Sequence, residues 1–467
     1  MRAGRLLLPA LRWREETGFG HEEAAIATAL DFGAGGFVLV GGNADAIFQL
    51  TRRLRHAAGR PLLIAAELER GPGQQVAGLD ELPPPRALAS LGDPAMLRGA
   101  GVLTAIEALS VGINWILAPV VDLDLEPGNP AVQTRAFGEQ PGEVSTAAAA
   151  WIIGCEAAGA LACAKHFPGQ GRSRLDSADE LPVVSADAEL LRESDLEPFR
   201  AAVAVGVGSI MTARAAYPAL DPSGAPAACS AAILRILRDE LGYGGLVVSG
   251  GLRTGPGCGP TPEAAALTAL RAGVDLLLCP ADPARVASAL EREIGGDPVL
   301  AERIASSLQR YTAALEAVPA EDYPERLPPA GSSLAAADWL LSAPLLRGEA
   351  PRLAQPLELV VIDDEHGSPW VHDALVARGV SLGSGGSRVV LALPEPSMSK
   401  GRARLTPESS ARLAREAAGA ALVVLFAHPR QVRAIPGSAP VLLGWHRQRL
   451  MQEAVARWIV GRLDSDQ

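Results

Sequence analysis

Short, almost wholly apolar runs recur along the first two thirds of the chain, at 5–9, 37–41, 62–67, 113–119, 161–166, 209–214, 246–249 and 275–279. Each is too short for a helix of ordinary length and lacks the alternation of a half-exposed strand, so it predicts a strand buried on both faces. Alanine-rich segments of helical period lie between them, at 22–32, 44–56, 94–110, 143–158, 187–205, 231–241 and 261–272. Eight buried strands alternating with helices predict a closed parallel (β/α)8 TIM-like barrel; an open doubly wound sheet has the same periodicity, and the number of units favours the barrel. Proline and glycine crowd the stretch from 317 to 333, which marks a boundary. Beyond it, strands at 357–363, 388–393, 421–426 and 440–444 and helices at 371–377, 407–418 and 447–462 predict a smaller α/β domain with a mainly parallel sheet. The expected division is a barrel domain over 1–318, a linker over 319–334 and a C-terminal domain over 335–467.

Composition narrows the partners. The 467 residues are 48% hydrophobic and 20% charged, enough apolar material for two packed cores. The net charge is −11 and no basic cluster is interleaved with aromatics, so neither nucleic acid nor an anionic membrane surface is an expected partner. The five cysteines are scattered and odd in number, and read as small buried residues or isolated thiols in a reducing compartment, with no disulfide frame or zinc site. The seven histidines lack metal-ligand spacing, and nothing calls for a metal or cofactor. The apolar start of the chain is broken by Pro9, Arg12 and Arg14, too soon for a signal-peptide core, and no run reaches membrane-span length. A cytoplasmic location is the expectation.

The chemistry concentrates where the fifth run ends. Lys165-His166-Phe167-Pro168-Gly169-Gln170-Gly171 places a cation and an imidazole at a strand C-terminus that feeds a glycine-rich loop, where α/β barrels hold their chemistry. Lys165 and Lys400 are the only lysines, in a chain that otherwise takes its positive charge from arginine.

Several motifs, in order, resemble glycoside hydrolase family 3, in its β-N-acetylglucosaminidase-like branch. They are Ile64-Ala65-Ala66-Glu67-Leu68-Glu69-Arg70-Gly71, Ala118-Pro119-Val120-Val121-Asp122, Arg135-Ala136-Phe137-Gly138 and Lys165-His166-Phe167-Pro168-Gly169. Ser209-Ile210-Met211-Thr212-Ala213, Leu246-Val247-Val248-Ser249, Ala272-Gly273-Val274-Asp275 and Val423-Val424-Leu425-Phe426-Ala427-His428-Pro429 follow. The resemblance covers nearly the whole chain, in the family's two-domain form. It implies that Glu67, Arg135, Lys165 and His166 line a subsite for an N-acetylglucosamine-type sugar or a muropeptide fragment. It also implies a retaining mechanism with a carboxylate nucleophile and a separate acid/base.

Both catalytic positions depart from the family. Gly250 stands where the nucleophilic aspartate follows the serine that ends the seventh strand, and Ala178 stands at the acid/base histidine, two residues after the retained Asp176. Neither residue can attack carbon or deliver a proton. Gln170, Arg172 and Arg214 also replace residues usual in the family, and together suggest a more cationic pocket that would suit an anionic sugar. Asp179, Glu180 and Glu365 are the candidate substitute carboxylates. The reading is a catalytically degenerate glycosidase homologue that at most binds sugar. The alternatives are an active O-glycosyl hydrolase that uses substitute acids, and a scaffold without sugar binding.

Overall fold

The computed structural model describes residues 3–173, 181–252, 254–255, 257–319, 332–343, 346–365, 369–394 and 403–464. The chain forms two compact units, one from residues 1–80, 93–126 and 136–329, the other from 81–92, 127–135 and 330–467. The second unit therefore also takes two short segments from within the sequence of the first.

In the first unit the strands are β1 (Leu7–Leu8), β2 (Ala10–Arg12), β3 (Gly36–Val40), β4 (Leu63–Ala66), β5 (Trp115–Ile116), β6 (Leu161–Phe167), β7 (Ser209–Thr212), β8 (Leu246–Val248) and β9 (Leu277–Leu278). β2 to β8 form a seven-stranded parallel sheet in sequence order. β1, continuous with β2 through Pro9, pairs in parallel with β9, and a parallel bridge from Val248 to Leu276 joins β8 to the segment that enters β9. Eight strand segments thus follow one another around a ring. Each lies within one of the apolar runs, to within a residue at its ends, or continues it past Pro9, because a strand enclosed by side chains inside and helices outside has no polar face.

Helices Pro94–Ser110 and Pro141–Ala157 pack backbone against backbone. A Cβ on Gly101 would lie 2.2 Å from the Trp151 carbonyl oxygen, and one on Gly154 would lie 2.1 Å from that of Arg98. The helix expected over 187–205 is realised as a turn at Ala188–Leu190, a π-helical stretch at Leu191–Asp195 and a helix at Glu197–Ala204. Pro198 has no N–H to donate to the Ser194 carbonyl, so the hydrogen-bond register shifts ahead of it. Helices Pro283–Ile294 and Pro298–Glu316 complete the unit. No helix among the described residues is long and apolar enough to cross a membrane.

The second unit contains the parallel sheet β10 (Glu358–Ile362), β11 (Arg388–Ala392), β12 (Leu422–Leu425) and β13 (Val441–Leu443), again in sequence order. Separate apolar clusters cover its two faces, one including Val389, Leu391, Val424 and Val455, the other Val390, Val423, Leu413 and Ile435. Alternate residues of one strand thus serve opposite faces. Gln448 Nε2 donates to the Leu82 carbonyl at 2.6 Å and the Leu450 N–H to Glu81 at 3.0 Å, which ties the 81–92 segment to this unit.

The cysteines correct the reading of isolated thiols. Cys229 and Cys258 form a disulfide, whereas Cys155, Cys163 and Cys279 are free. The loop after β8 folds back on the segment before Cys229, so closely that a Cβ on Gly257 (φ +80°) would lie 2.7 Å from Ala225 Cα. Contact between segments 29 residues apart is a product of that fold-back. The disulfide removes the cysteine argument for a reducing compartment. Burial pushes the thiols of Cys163 and Cys279 up to about 11, which makes them poor nucleophiles.

Glu156 is a partly buried structural acceptor: its Oε1 takes the N–H groups of Ala162 at 3.0 Å and Gly208 at 2.9 Å. Burial raises its pKa, and the two hydrogen bonds oppose that rise without cancelling it. The folded state therefore holds the proton more tightly than the unfolded chain, and the associated stability is lost as pH rises through the folded-state pKa. Glu156→Gln keeps an oxygen for both donors and removes the ionisation. Thermal unfolding from pH 4 to pH 8 should show the variant gaining on the wild type as pH rises; a constant difference would contradict this.

Candidate active site

The site is built at the C-terminal ends of β4 to β8. Lys165, near the end of β6, is fully buried, and its ammonium group meets Glu69 Oε1 at 2.7 Å, the Leu117 carbonyl at 2.6 Å and Glu67 Oε1 at 3.4 Å. Three N–H bonds thus face three acceptors. Its immediate work is to hold the two carboxylates that follow β4. The side chain of Glu69 is 2% exposed and that of Glu67 is 51% exposed, so Glu67 is the member of the cluster that presents itself to solvent.

His166 is fixed by Asp122, which is buried in the segment after β5. Asp122 Oδ2 lies 2.7 Å from His166 Nδ1, and its Oδ1 accepts the N–H groups of His166 at 3.2 Å and Gln170 at 2.8 Å. This arrangement sets Nδ1 as the nitrogen that donates to the carboxylate, so Nε2 is the one aimed elsewhere. The turn that follows is held by Tyr217, whose hydroxyl donates to the Gly169 carbonyl at 2.9 Å.

Arg172 is not a pocket cation. Its Nε lies 3.1 and 2.9 Å from the two carboxylate oxygens of Asp195, and Nη2 lies 3.3 Å from Ser194 Oγ. Burial raises the pKa of Asp195, and Arg172 pulls it back down. Of the three substitutions expected to make the pocket more cationic, Arg172 is thereby spent on an internal ion pair.

Arg214 behaves differently. It follows β7, is half-buried, and lays its aliphatic stem over Gly250 at the end of β8. A Cβ built on Gly250 would meet Arg214 Cγ and Cδ at 3.3 Å and the Thr212 carbonyl oxygen at 3.5 Å. Among the described residues, and leaving aside its neighbours in the chain, these are its three nearest contacts, and none is a carboxylate.

Asp176, Ala178, Asp179 and Glu180 lie outside the described residues. Glu365 belongs to the second unit, where it is exposed just after β10 and its N–H donates to Asp363 at 2.9 Å. Arg135 also belongs to the second unit and donates to the Ala131 carbonyl one turn back. The structure thus joins Lys165 to Glu67, and places His166 beside Asp122 on the next strand end.

Glu69, Asp122 and Asp195 are the site residues that sequence reasoning passed over. Glu69 and Asp122 were visible as acids just past strand ends, whereas Asp195 lies in the helical segment between β6 and β7. What singles them out is burial, a property of the folded chain. Chemically, the described part of the site can accept hydrogen bonds through Glu67 and exchange them through His166. At the end of β8 it offers a guanidinium stem and a glycine.

Residues 21–314 match the model of the glycosyl hydrolase family 3 N-terminal domain. A β-hexosaminidase from Alkalilimnicola ehrlichii is 37% identical over 282 residues, 57% of this chain and 79% of that protein. A β-N-acetylglucosaminidase/β-glucosidase from Cellulomonas fimi is 36% identical over 44% of this chain, and the match spans 38% of that relative. Among solved structures, a family 3 β-N-acetylglucosaminidase from Paenibacillus sp. str. FPU-7 superposes with a TM-score of 0.82 at 23% identity, covering 99% of this chain and 96% of that one. At that identity the likeness bears on the fold.

Proposed function

Because the chain belongs to glycosyl hydrolase family 3, we propose that it is an amino-sugar-binding member of that family that has lost turnover. Its ligand would be an N-acetylglucosamine-type sugar or a muropeptide fragment, and its role sensing or sequestration. One observation carries this reading: the strand end where the family's nucleophile would stand is Gly250, covered by the methylenes of Arg214. A retaining glycosidase needs a carboxylate there, and a base or acid on the other side of the bond. Ala178 offers neither. Glu67 and His166 would hold the sugar hydroxyls and acetamido group, with Lys165 holding Glu67 in place.

The test is hydrolysis of a chromogenic aryl N-acetyl-β-glucosaminide by highly purified protein, beside the Alkalilimnicola relative. General acid–base catalysis alone contributes about 10²–10⁴-fold, so a chain without it and without a nucleophile should be slower by at least about 10⁴-fold. Glu67→Gln serves as the contamination control, because a half-exposed carboxylate is replaced at little cost to folding. Turnover by the wild type that disappears in Glu67→Gln would overturn the proposal and bring Asp179, Glu180 and Glu365 forward as substitute acids. A thermal shift with N-acetylglucosamine that is lost in Glu67→Gln is the expected sign of binding; no shift would favour a scaffold.

A further inference from the structure

The opposite end of the barrel carries a second concentration of charge that glycoside chemistry leaves unused. Asp275, fully buried just before β9, receives Arg238 Nη2 at 2.6 Å, Arg303 Nη2 at 2.8 Å, Ser307 Oγ at 2.9 Å, the Val247 N–H at 2.9 Å and Arg310 Nη1 at 3.3 Å. Arg238 also donates to the carbonyls of Tyr243 and Gly245, and Arg303 to those of Gly273 and Val274, so these two are structural clamps on the strand entries. They satisfy both oxygens of Asp275. The other two arginines are surplus to that task. Arg310 makes one long contact, with its side chain 31% exposed, and Arg235 is exposed with no ion pair among the described residues.

All four arginines line one open cavity of about 220 Å³, with Leu234 and Ala272 as apolar wall and no acidic residue in the lining. The nearest acids on the same two helices, Asp239 and Glu302, are exposed and pair with none of the four. Four guanidinium groups against one carboxylate leave three positive charges in a concave site, on a chain whose net charge is −11. A cleft focuses such a field, and guanidinium forks match the paired oxygens of phosphate.

We infer that this cavity, between the helix bearing Arg235 and Arg238 and the helix Pro298–Glu316, is a binding site for a small, multiply charged phosphate-bearing anion, separate from the sugar site at the other end of the strands. Arg235 and Arg310 grip the anion, while Arg238 and Arg303 form its charged floor.

Calorimetric titration with sodium pyrophosphate, against sodium chloride matched for ionic strength, tests the assignment. The wild type should bind pyrophosphate, and the Arg235→Gln/Arg310→Gln double variant should bind at least about tenfold more weakly, since two charge-assisted contacts are gone. The double variant should keep its unfolding temperature, because Asp275 retains Arg238, Arg303 and Ser307. Arg214→Gln, at the sugar site, should bind as the wild type does. Absence of binding beyond the chloride control, binding that survives the double variant, or binding lost in Arg214→Gln would each overturn the inference.

Discussion

Lys165→Ala should lower the stability of the first unit by about 3–5 kcal/mol, the range for removing one partner of a buried ion pair. The loss follows from what the variant removes. The side chain of Glu69, 2% exposed, would lose the ammonium group at 2.7 Å, and the Leu117 carbonyl would lose its donor at 2.6 Å. Glu67 would be affected least, because it is half in solvent. Denaturant unfolding of the purified variant measures the effect. A double change, Lys165→Met/Glu69→Leu, removes both charges and should recover much of the loss, since a well-packed apolar pair often equals a buried ion pair in stability. That double variant separates folding from binding: it should fold, yet fail to hold Glu67 in position for a sugar. A loss below about 1 kcal/mol in Lys165→Ala, typical of surface pairs, would contradict the buried-pair reading.

Asp275→Ala should be at least as damaging, again about 3–5 kcal/mol, and soluble expression itself is a relevant readout. Asp275 is the only carboxylate among the described residues that Arg238 and Arg303 contact, and it also caps the Val247 N–H at the entry to β8. Burial already lowers the pKa of Arg238, with Asp275 opposing that shift, so the carboxylate is what makes a charged guanidinium tolerable there. Asp275→Asn keeps the shape and loses the charge, and should fall between the alanine variant and the wild type. Arg310→Gln should cost little, because its contact with Asp275 is the longest of the three at 3.3 Å. Thermal unfolding of the three variants gives the order; equal losses in Arg310→Gln and Asp275→Ala would mean that the third arginine is as structural as the others.

The fold is legible in the sequence because burial on both faces writes itself into a strand as an unbroken apolar run. The runs around Phe37, Ile64, Ala162 and Val247 became β3, β4, β6 and β8, and those around Val360, Val390, Val423 and Leu442 became β10 to β13. The family was legible for a different reason. Turns such as Lys165-His166-Phe167-Pro168-Gly169 must supply particular side chains at particular strand ends, and such constraints survive as ordered local motifs.

What those local signals could not determine was pairing across the chain. Glu69 and Glu67 are two residues apart, yet one is buried against Lys165 and the other faces water, which depends on how the loop after β4 turns. Arg172 and Arg214 looked alike as added cations, but Asp195 captures the first and the second lies over Gly250. Cys229 and Cys258 had no sequence signature and meet only because the loop after β8 folds back. Four arginines spread from 235 to 310 share one cavity because their helices flank the same strand entries. Sequence alone therefore determined the order of strands and helices and the identity of the residues at the strand ends, since hydrophobic period and motif are local properties. The tertiary structure decided which charges are buried, paired or surplus, because desolvation and Coulomb attraction depend on distances that only the folded chain sets.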